Sequence, residues 1–364
     1  MPVPFRQLYR VIYSKETAYP ATRSGVVNGY RLLEAGVPYI MTGKLVERVR
    51  MVDPNLTAEP VPHKEFTEAS KRLLVFFPGG LGDVICLRPC LQKFSSIRDN
   101  VEVGVVDTRA DEGIIGDLCT LWDYPIREEI ADYYDAWVNI AEHDRASVGR
   151  ELQDSFSEYL GIETPACKPY LPVDPAIERA LSGFVRTQNR VNVGVHLHSM
   201  SHYRSIPNVV GCLTMMELVE RGCDCYLLGS SDQRIVFVDK ETRASATPPE
   251  HIYQTHTMLE PLEMYIAFLN LMDVVLTADT ASLHMAGALG KPCLGVFGLT
   301  DGKKRCSYYP TVEYVQGKID CSPCEKITEE MPCDNRNCLA IAEMNPAYLA
   351  NKTMEVYERW KMLS

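Results

Sequence analysis

The sequence lacks any apolar run long enough to cross a membrane. Its longest hydrophobic stretch, residues 264–278, contains Asn270 and Asp273 and falls short of the roughly 20 apolar residues that a membrane-spanning helix needs. The first thirty residues carry several Arg and Lys side chains and no apolar segment, whereas a secretory signal requires one. We therefore expect a cytoplasmic protein without a membrane span.

Positive charge is also in short supply. Lys and Arg number 37 against 48 Asp and Glu, which gives a formal net charge of −11. Nucleic-acid binding needs clustered Lys and Arg that neutralise phosphates, so the composition argues against nucleic acid as a partner. The same composition still allows a local basic cleft. The dinucleotide fingerprint G-x-G-x-x-G is missing as well, and this leaves NAD binding without support.

The chain length and the pattern of apolar runs predict an α/β protein of several parts. Its 364 residues exceed one ordinary hydrophobic core, so two main domains are expected. Short apolar runs alternate with helical segments, one of them predicted at residues 114–121, as in doubly wound sheets of parallel strands. We predict a β-rich N-terminal module at residues 1–68, Rossmann-like domains at residues 69–175 and 176–345, and a terminal helix at residues 346–364.

The N-terminal module differs in texture from the rest of the chain. The segments 8–13, 37–41 and 45–52 are predicted to be strands, and turn signals such as Asn28-Gly29 separate them. Such a module can pack against the following domain as an extension of it. It can also dock an acceptor or a second subunit, which would make the protein a homo-oligomer.

The first chemical motif is the turn Gly79-Gly80-Leu81-Gly82-Asp83, which follows an apolar run. Glycines allow the backbone to approach a ligand closely and to adopt positive φ. Asp83 falls at the start of a predicted helix, at the carboxyl edge of a parallel sheet, where ligands bind in such folds. A carboxylate at a helix start is also a common cap. Asp83 is therefore either a cap or a base that faces a binding cleft.

Two further segments have the chemistry of anion binding. After a predicted strand at residues 191–197, Ser199, Ser201 and Arg204 offer hydroxyls and a guanidinium that can hold a pyrophosphate. The three histidines of this loop could instead indicate a metal, or the loop could be an ordinary polar surface. The segment 279–282 places hydroxyls and backbone N–H groups at a helix N-terminus, which is a ready anion site, or a plain helix cap.

Four of the thirteen cysteines form a spaced cluster. Cys321, Cys324, Cys333 and Cys338 give the pattern C-x2-C-x8-C-x4-C, which is typical of a tetrahedral zinc or iron site. The alternative is four buried thiols. We expect a structural, not a catalytic, role for such a metal.

These motifs resemble those of glycosyltransferase family 9, the ADP-heptose heptosyltransferases. The resemblance is carried by Gly82-Asp83 after the first strand, by Arg204 shortly before Pro207, and by the block from Thr277 to Asp301. It implies a GT-B fold, in which two Rossmann-like domains face each other across a cleft. It also implies transfer of heptose from ADP-heptose with inversion, without a catalytic metal, onto a hydroxyl of lipopolysaccharide core or of a protein.

The resemblance also assigns roles to residues. Asp83 matches the general base, and Arg204 stands where the family usually has a Lys that neutralises the donor phosphates. The residues predicted to bind the donor are Gly80, Gly82, Ser199, Ser201, Asp279, Thr280, Ala281, Ser282 and His284. The chain departs from the family in having Ala281 in place of Gly and no Trp near Arg204. The cysteine cluster is similar to that of autotransporter heptosyltransferases, in which it holds iron.

Two other functions are compatible with the same motifs. A nucleotide-sugar epimerase of GT-B shape would also use carboxylates and His in its cleft. A non-catalytic protein that binds sugar nucleotides could use the N-terminal module and the cysteine cluster as interaction surfaces. The pairing of Gly-Asp with Asp-Thr favours the transferase over the epimerase, and the complete set of Asp83, Arg204 and Asp279 argues against a non-catalytic protein.

Overall fold

The computed structural model describes residues 7–20, 30–77, 79–107, 112–140, 151–165, 169–185, 189–229, 237–238, 245–246, 248–255, 258–324 and 338–363. The chain divides into two compact units, Met1–Cys167 and Lys168–Ser364. Each unit is built around a sheet of parallel strands, which confirms the predicted α/β class. Within the described ranges, no helix is long and apolar enough to cross a membrane.

The first unit combines a parallel sheet with an antiparallel one. Its elements in chain order are β1 (Leu8–Ile12), β2 (Thr17–Pro20), β3 (Tyr30–Leu33), β4 (Pro38–Thr42), α1 (Gly43–Arg50), β5 (Thr57–Pro60), β6 (Arg72–Phe76), α2 (Leu81–Ile97), β7 (Glu102–Asp107), α3 (Glu112–Ile115), β8 (Thr120–Asp123), β9 (Ile126–Arg127), α4 (Glu128–Asp132), β10 (Ala136–Asn139) and α5 (Leu152–Leu160).

The parallel sheet of the first unit has the strand order β10-β6-β7-β8. The chain moves outward from β6 to β7 and β8, whereas β10 returns to the other side of β6. The strand order therefore reverses between β6 and β10, and ligands bind at the carboxyl ends of strands next to such a reversal. The turn that contains Gly79, Gly80 and Asp83 leaves β6 at this place.

The N-terminal strands share a core with this parallel sheet. The antiparallel sheet has the order β5-β1-β4-β9, so it includes a strand from residues 126–127. Leu8 and Tyr39 belong to the same buried cluster as Phe76 and Trp137. Residues 1–68 thus pack against the following sheet, and a docking role for them stays a prediction.

Two local predictions in the first unit are wrong. Residues 45–52 were expected to form a strand, but they lie largely within α1, where Val46 and Val49 are buried at helical spacing and Glu47 is exposed. A helix predicted at residues 114–121 ends at residue 115, and β8 follows in parallel pairing with β7. In both cases burial and pairing with distant segments override the local pattern.

The second unit is a doubly wound domain. Its elements in chain order are α6 (Pro175–Leu181), β11 (Val191–His196), α7 (Asn208–Glu220), β12 (Cys223–Leu227), β13 (Phe237–Val238), β14 (Ser245–Ala246), β15 (Ile252–Tyr253), α8 (Leu262–Asn270), β16 (Val274–Ala278), α9 (Ala281–Ala288), β17 (Cys293–Phe297), α10 (Gly302–Cys306), β18 (Val312–Gln316), α11 (Leu339–Ala342) and α12 (Pro346–Lys361).

The parallel sheet of the second unit has the order β15-β12-β11-β16-β17-β18. Counted by position in the chain, this is the order 3-2-1-4-5-6 of dinucleotide-binding folds. Every residue of β12, β16 and β17 is buried, because helices cover both faces of such a sheet. The strand order reverses between β11 and β16, so the loops that follow these two strands form the expected binding edge.

Candidate functional site

Asp83 occupies the third position of helix α2 and caps it. The backbone N–H of Gly80 donates to Oδ2 of Asp83 over 2.8 Å, which is the half of a capping box that the third helical residue supplies. The structure therefore shows the capping role. Because Asp83 is only half-buried, the carboxylate is also accessible to a substrate proton, and its role as general base stays a prediction.

The glycines of this turn are needed for space. A Cβ on Gly79 would lie 2.6 Å from the ring of Phe77, and one on Gly80 would lie 3.3 Å from Oδ2 of Asp83. Gly80 has φ of −80°, so the expected positive φ is not the reason for glycine there. Gly82 is buried in the first turn of α2, and its predicted contact with the donor is untested.

In the second unit, Ser205 organises the loop that follows β11. Its Oγ accepts a hydrogen bond from the N–H of Ser199 over 2.9 Å and donates to the carbonyl of Ser201 over 3.2 Å. Ser199 and Ser201, both predicted to bind the donor, are thus held in one compact turn that ends at Arg204. Ser205 was not singled out from the sequence, because nothing local distinguishes it from its serine neighbours.

Arg204 and Asp279 meet at the reversal point of the second sheet. Nη1 of Arg204 lies 3.6 Å from Oδ2 of Asp279, because their parent strands are direct neighbours and His196 pairs with Thr277. Asp279 also accepts a 2.6 Å hydrogen bond from Oγ1 of Thr300, in the loop after β17. Three loops of one sheet edge therefore converge on a single buried carboxylate.

The charge of Asp279 is maintained by neighbouring cations. Burial by itself raises the pKa of this carboxyl, but Arg204, Arg305 and the hydrogen bond from Thr300 outweigh burial and hold the pKa below its ordinary value. The sequence did not indicate a role for Arg305, on α10, because its neighbours Lys303 and Lys304 make it resemble part of a solvent-exposed basic run. The Nε atom of Arg204 is buried and has no hydrogen-bond partner in the described structure, whereas 26% of the side chain is exposed and can meet an anion.

Helix α9 begins where the sequence predicted an anion site. Thr280 is its N-cap residue but its side chain makes no capping hydrogen bond, and Ala281 is the first helical residue. The first backbone N–H groups of a helix lack partners within the helix and are available to an anion. His284 is buried, and its Nδ1 lies 2.9 Å from Oη of Tyr309.

Ser282 was predicted to contact the donor, yet its side chain points into the interior. Only 1% of the residue is exposed. Its Oγ lies 2.6 Å from Oη of Tyr265 and contacts Nδ1 of His196. The hydroxyl is therefore committed to protein partners, and the backbone N–H of Ser282 is the group that the helix start can offer to a donor.

The cysteine cluster is described only in part. Cys321, Cys324 and Cys338 are at least partly exposed, and Cys333 lies outside the described residues. Burial raises the pKa of the Cys338 thiol, and charge at Cys324 and Cys321 raises it further, whereas the backbone groups of Ala340 and Ile341 act in the opposite direction. No group of three metal-ligating side chains comes together among the residues with described positions.

Comparison with known proteins identifies the family. The sequence pattern of glycosyltransferase family 9 (heptosyltransferase) matches residues 119–334, which is more than half of the chain and includes the loops of Arg204 and Asp279. The match begins after the turn of Asp83. No curated protein sequence matches the chain significantly.

Solved structures show the same fold at low sequence identity. The ADP-heptose lipopolysaccharide heptosyltransferase II of E. coli is 12% identical, with 80% of this chain and 99% of that chain covered and a TM-score of 0.57. The iron-containing dodecameric glycosyltransferase TibC of enterotoxigenic E. coli H10407 is 12% identical, with 99% and 93% covered and a TM-score of 0.58. Another structure of TibC contains ADP-D-β-D-heptose.

A family 9 glycosyltransferase from Veillonella parvula DSM 2008 is 14% identical, with 79% of this chain and 97% of that chain covered and a TM-score of 0.55. These structural likenesses confirm the predicted GT-B fold. Together with the family match over residues 119–334, they show that the chain belongs to glycosyltransferase family 9, the heptosyltransferases.

Proposed function

We propose that this glycosyltransferase moves heptose from ADP-heptose onto a hydroxyl acceptor with inversion. The observation that supports the proposal best is the meeting of Arg204 and Asp279 at the reversal point of the second sheet. The helix start of α9 follows Asp279 directly, so a cation and free backbone N–H groups lie at one strand edge. Such a combination suits a diphosphate, and one similar enzyme binds ADP-D-β-D-heptose.

The reaction needs a base and a cation. The acceptor oxygen forms a bond to the anomeric carbon as the bond from that carbon to the donor phosphate breaks, and the electron pair leaves with ADP. Asp83 takes the proton of the acceptor hydroxyl, which is a poor nucleophile without a base. Arg204, the Ser199–Ser201 turn and the start of α9 stabilise the negative charge that develops on ADP.

A thermal-shift panel of ADP-heptose, ADP and the corresponding GDP- and UDP-sugars tests the donor. A ligand that binds only the folded state raises the melting temperature in proportion to the logarithm of its concentration. We expect ADP-heptose and ADP to stabilise the protein and the Arg204→Gln variant to lose that response. If only a GDP- or UDP-sugar stabilised the protein, that sugar nucleotide would be the donor in place of ADP-heptose. If none of the ligands stabilised the protein, the proposed nucleotide-sugar site would be refuted.

The acceptor is a glycan, such as lipopolysaccharide core, or a protein. The N-terminal strands support a protein acceptor or a homo-oligomer, because they add an antiparallel sheet to one side of the first unit. Incubation with ADP-heptose and each acceptor class, followed by mass spectrometry of the product, distinguishes the two. Light scattering of the purified protein measures its oligomeric state.

We further propose that Cys321, Cys324, Cys333 and Cys338 hold a structural zinc or iron ion. The spacing C-x2-C-x8-C-x4-C supports it, because paired cysteines at such intervals are typical of tetrahedral metal sites. Thiolates are the preferred ligands of both metals. The described cysteines are all free thiols, and this supports a reducing compartment such as the cytoplasm.

A further inference from the structure

Three polar side chains form a buried cluster in the second unit. Oη of Tyr265 lies 2.6 Å from Oγ of Ser282 and 2.9 Å from Nδ1 of His196, and this nitrogen also contacts Oγ of Ser282. The exposed fractions are 7% for Tyr265, 8% for His196 and 1% for Ser282. We call these three residues the buried triad.

Each member of the buried triad comes from a different element next to the donor site. His196 ends β11 and immediately precedes the loop that leads to Arg204. Ser282 lies in the first turn of α9, just after Asp279. Tyr265 belongs to α8, which leads into β16. The triad therefore links both donor loops through one set of side-chain contacts.

Burial keeps the triad from titrating. It lowers the pKa of His196 to about 3, with a smaller contribution from charge at His198. Burial also raises the pKa of Tyr265, although the hydrogen bond with Ser282 opposes this effect. The imidazole is thus neutral and both hydroxyls keep their protons throughout the physiological range. The triad does not act as an acid, a base or a pH switch, and its contribution is a fixed geometry.

The number of protons determines how the triad is bonded. Tyr265 and Ser282 bring one O–H each, and a neutral imidazole has one N–H and one acceptor nitrogen. If Nδ1 of His196 accepts, both hydroxyl protons are used within the triad. If Nδ1 carries the proton, one hydroxyl proton finds no acceptor there. The geometry therefore favours the tautomer with the proton on Nε2.

We propose that the buried triad positions the two donor loops and thereby sets how tightly Arg204 and the start of α9 hold the diphosphate. The link to the diphosphate rests on the proposed function, whereas the effect on the loops does not. His196, Tyr265 and Ser282 are positioning residues, because their side chains contact one another and reach the donor site only through the loops that they hold.

Hydrogen–deuterium exchange of the ligand-free protein tests the positioning. Ser282→Ala should make the amides of residues 197–205 exchange roughly two- to tenfold faster, since one buried hydrogen bond is lost. Tyr265→Phe, which keeps the ring volume, should speed up amide exchange by a similar factor in residues 197–205 and 278–283. The control Thr353→Val removes a buried hydroxyl that bonds to the carbonyl of Leu349 within α12, and it should leave both loops unchanged.

Unchanged exchange at residues 197–205 in both triad variants would overturn the proposal. If Ser282→Ala does not fold, Tyr265→Phe decides it, because a swap of nearly equal volume is usually tolerated. Nitrogen NMR of His196 provides a spectroscopic signature: a protonated Nε2 is expected in the wild type, and a protonated Nδ1 would contradict the bonding described above.

Titration with ADP separates this inference from the proposed function. We expect the triad variants to bind ADP about two- to tenfold more weakly, in line with one lost buried hydrogen bond, and Thr353→Val to bind it as the wild type does. If Thr353→Val weakened ADP binding as much as the triad variants do, the effect of the triad would be one of general stability and not of loop positioning. A wild type that binds no ADP would refute the proposed donor, while the exchange experiment would still decide the positioning of the loops.

Discussion

Nη1 of Arg204 lies 3.6 Å from Oδ2 of Asp279, and the two side chains come from loops that follow neighbouring parallel strands. The carboxylate is almost fully buried, whereas the guanidinium is 26% exposed. A charged group in this position is stabilised by its buried partner and still reaches an incoming anion. We therefore predict that the pair holds the donor phosphates, and we call it the donor clamp.

The first prediction concerns the charge and the shape of Arg204. Arg204→Gln should lower kcat/KM for the donor about 10²- to 10³-fold, as expected when a group that stabilises transition-state charge is removed. Arg204→Lys keeps the charge but loses the planar fork, so it should retain intermediate activity. Initial-rate kinetics with varied donor concentration measure both effects.

A matched control is Arg359→Gln. Arg359 pairs with Glu313 over 2.9 Å on the surface, with 57% of its side chain exposed, and such pairs contribute only about 0–1 kcal/mol. Its activity should equal that of the wild type. A similar loss in both variants would show that the effect of Arg204→Gln is not specific to the donor clamp.

The second prediction concerns pH. The pKa of Asp279 is lower in the folded protein than its ordinary value of 3.8. Its contribution to the free energy of unfolding is therefore fully present above that value and is lost as the pH falls through the folded-state pKa. Arg305→Gln removes one of the cations that oppose the effect of burial, so the folded-state pKa of Asp279 rises and its contribution to stability becomes smaller.

Urea unfolding from neutral to acidic pH measures this shift. Arg305→Gln should be less stable than the wild type at neutral pH, and this difference should shrink as the pH falls through the folded-state pKa, because Asp279 then takes up a proton in both proteins. In an Asp279→Asn background the same substitution should have no such pH dependence. If the pH profiles of wild type and Arg305→Gln were parallel, Arg305 would not interact with Asp279.

Local patterns were sufficient for most of the second unit. The apolar runs of β11, β16 and β17 are buried on both faces, so their apolar composition alone is enough to predict them as buried strands. The small residues after Thr280 likewise begin a helix as predicted. The residues predicted to bind an anion follow the strand ends, at the carboxyl edge of a parallel sheet, where ligands approach in such folds.

Residues whose roles depend on distant partners were not predictable. Tyr265 contacts Ser282 from another part of the chain, and no local pattern marks it. Thr300 lies within the block 277–301, but its hydrogen bond to Asp279 depends on a neighbouring strand and was not predicted. Ser282 was assigned to the donor because a hydroxyl at a helix start suits an anion, yet His196 and Tyr265 engage it in the interior. The short strand β9 was likewise not predictable, because it forms only through antiparallel pairing with the distant strand β4.

The third prediction separates the two roles of Asp83. Asp83→Asn keeps an oxygen that can accept from the N–H of Gly80 but cannot accept a substrate proton. It should fold with nearly the stability of the wild type and lose transfer. Asp83→Ala should lose transfer and, in addition, about 0.5–2 kcal/mol of stability through the missing cap.

Single-turnover transfer assays and urea unfolding measure these two effects. The two variants should differ in stability and agree in their loss of activity. If Asp83→Asn retained near-wild-type turnover, Asp83 would be a cap only, and the base would have to be sought elsewhere in the first unit.

The fourth prediction concerns the cysteine cluster. Protein purified without added metal should contain zinc or iron, as measured by elemental analysis, and Cys324→Ser should reduce the metal content and lower the melting temperature. Cys212→Ser is a suitable control, because Cys212 is a buried thiol on α7, outside the cluster. A metal-free, fully folded wild type would show that the cluster consists of ordinary thiols.

The fifth prediction concerns Gly287, near the C-terminal end of α9. A Cβ there would lie 2.2 Å from Cδ1 of Tyr309, and Oη of Tyr309 lies 2.9 Å from Nδ1 of His284. Gly287→Ala should therefore displace the tyrosine ring and cost about 1–3 kcal/mol of stability, as overpacking of a core typically does. Displacement of Tyr309 would also release the ring of His284, so donor affinity should fall together with stability.

Gly183→Ala is the matched control, because a Cβ on Gly183 would meet nothing within 4 Å. It should leave both urea unfolding and donor affinity unchanged. If Gly287→Ala lost stability but bound the donor as tightly as the wild type, His284 would lie outside the donor site. Displacement of the Tyr309 ring, and of His284 with it, would then have no effect on the ligand. Equal stability of the two variants would mean that Tyr309 has room to move, and that the close packing of α9 is not required.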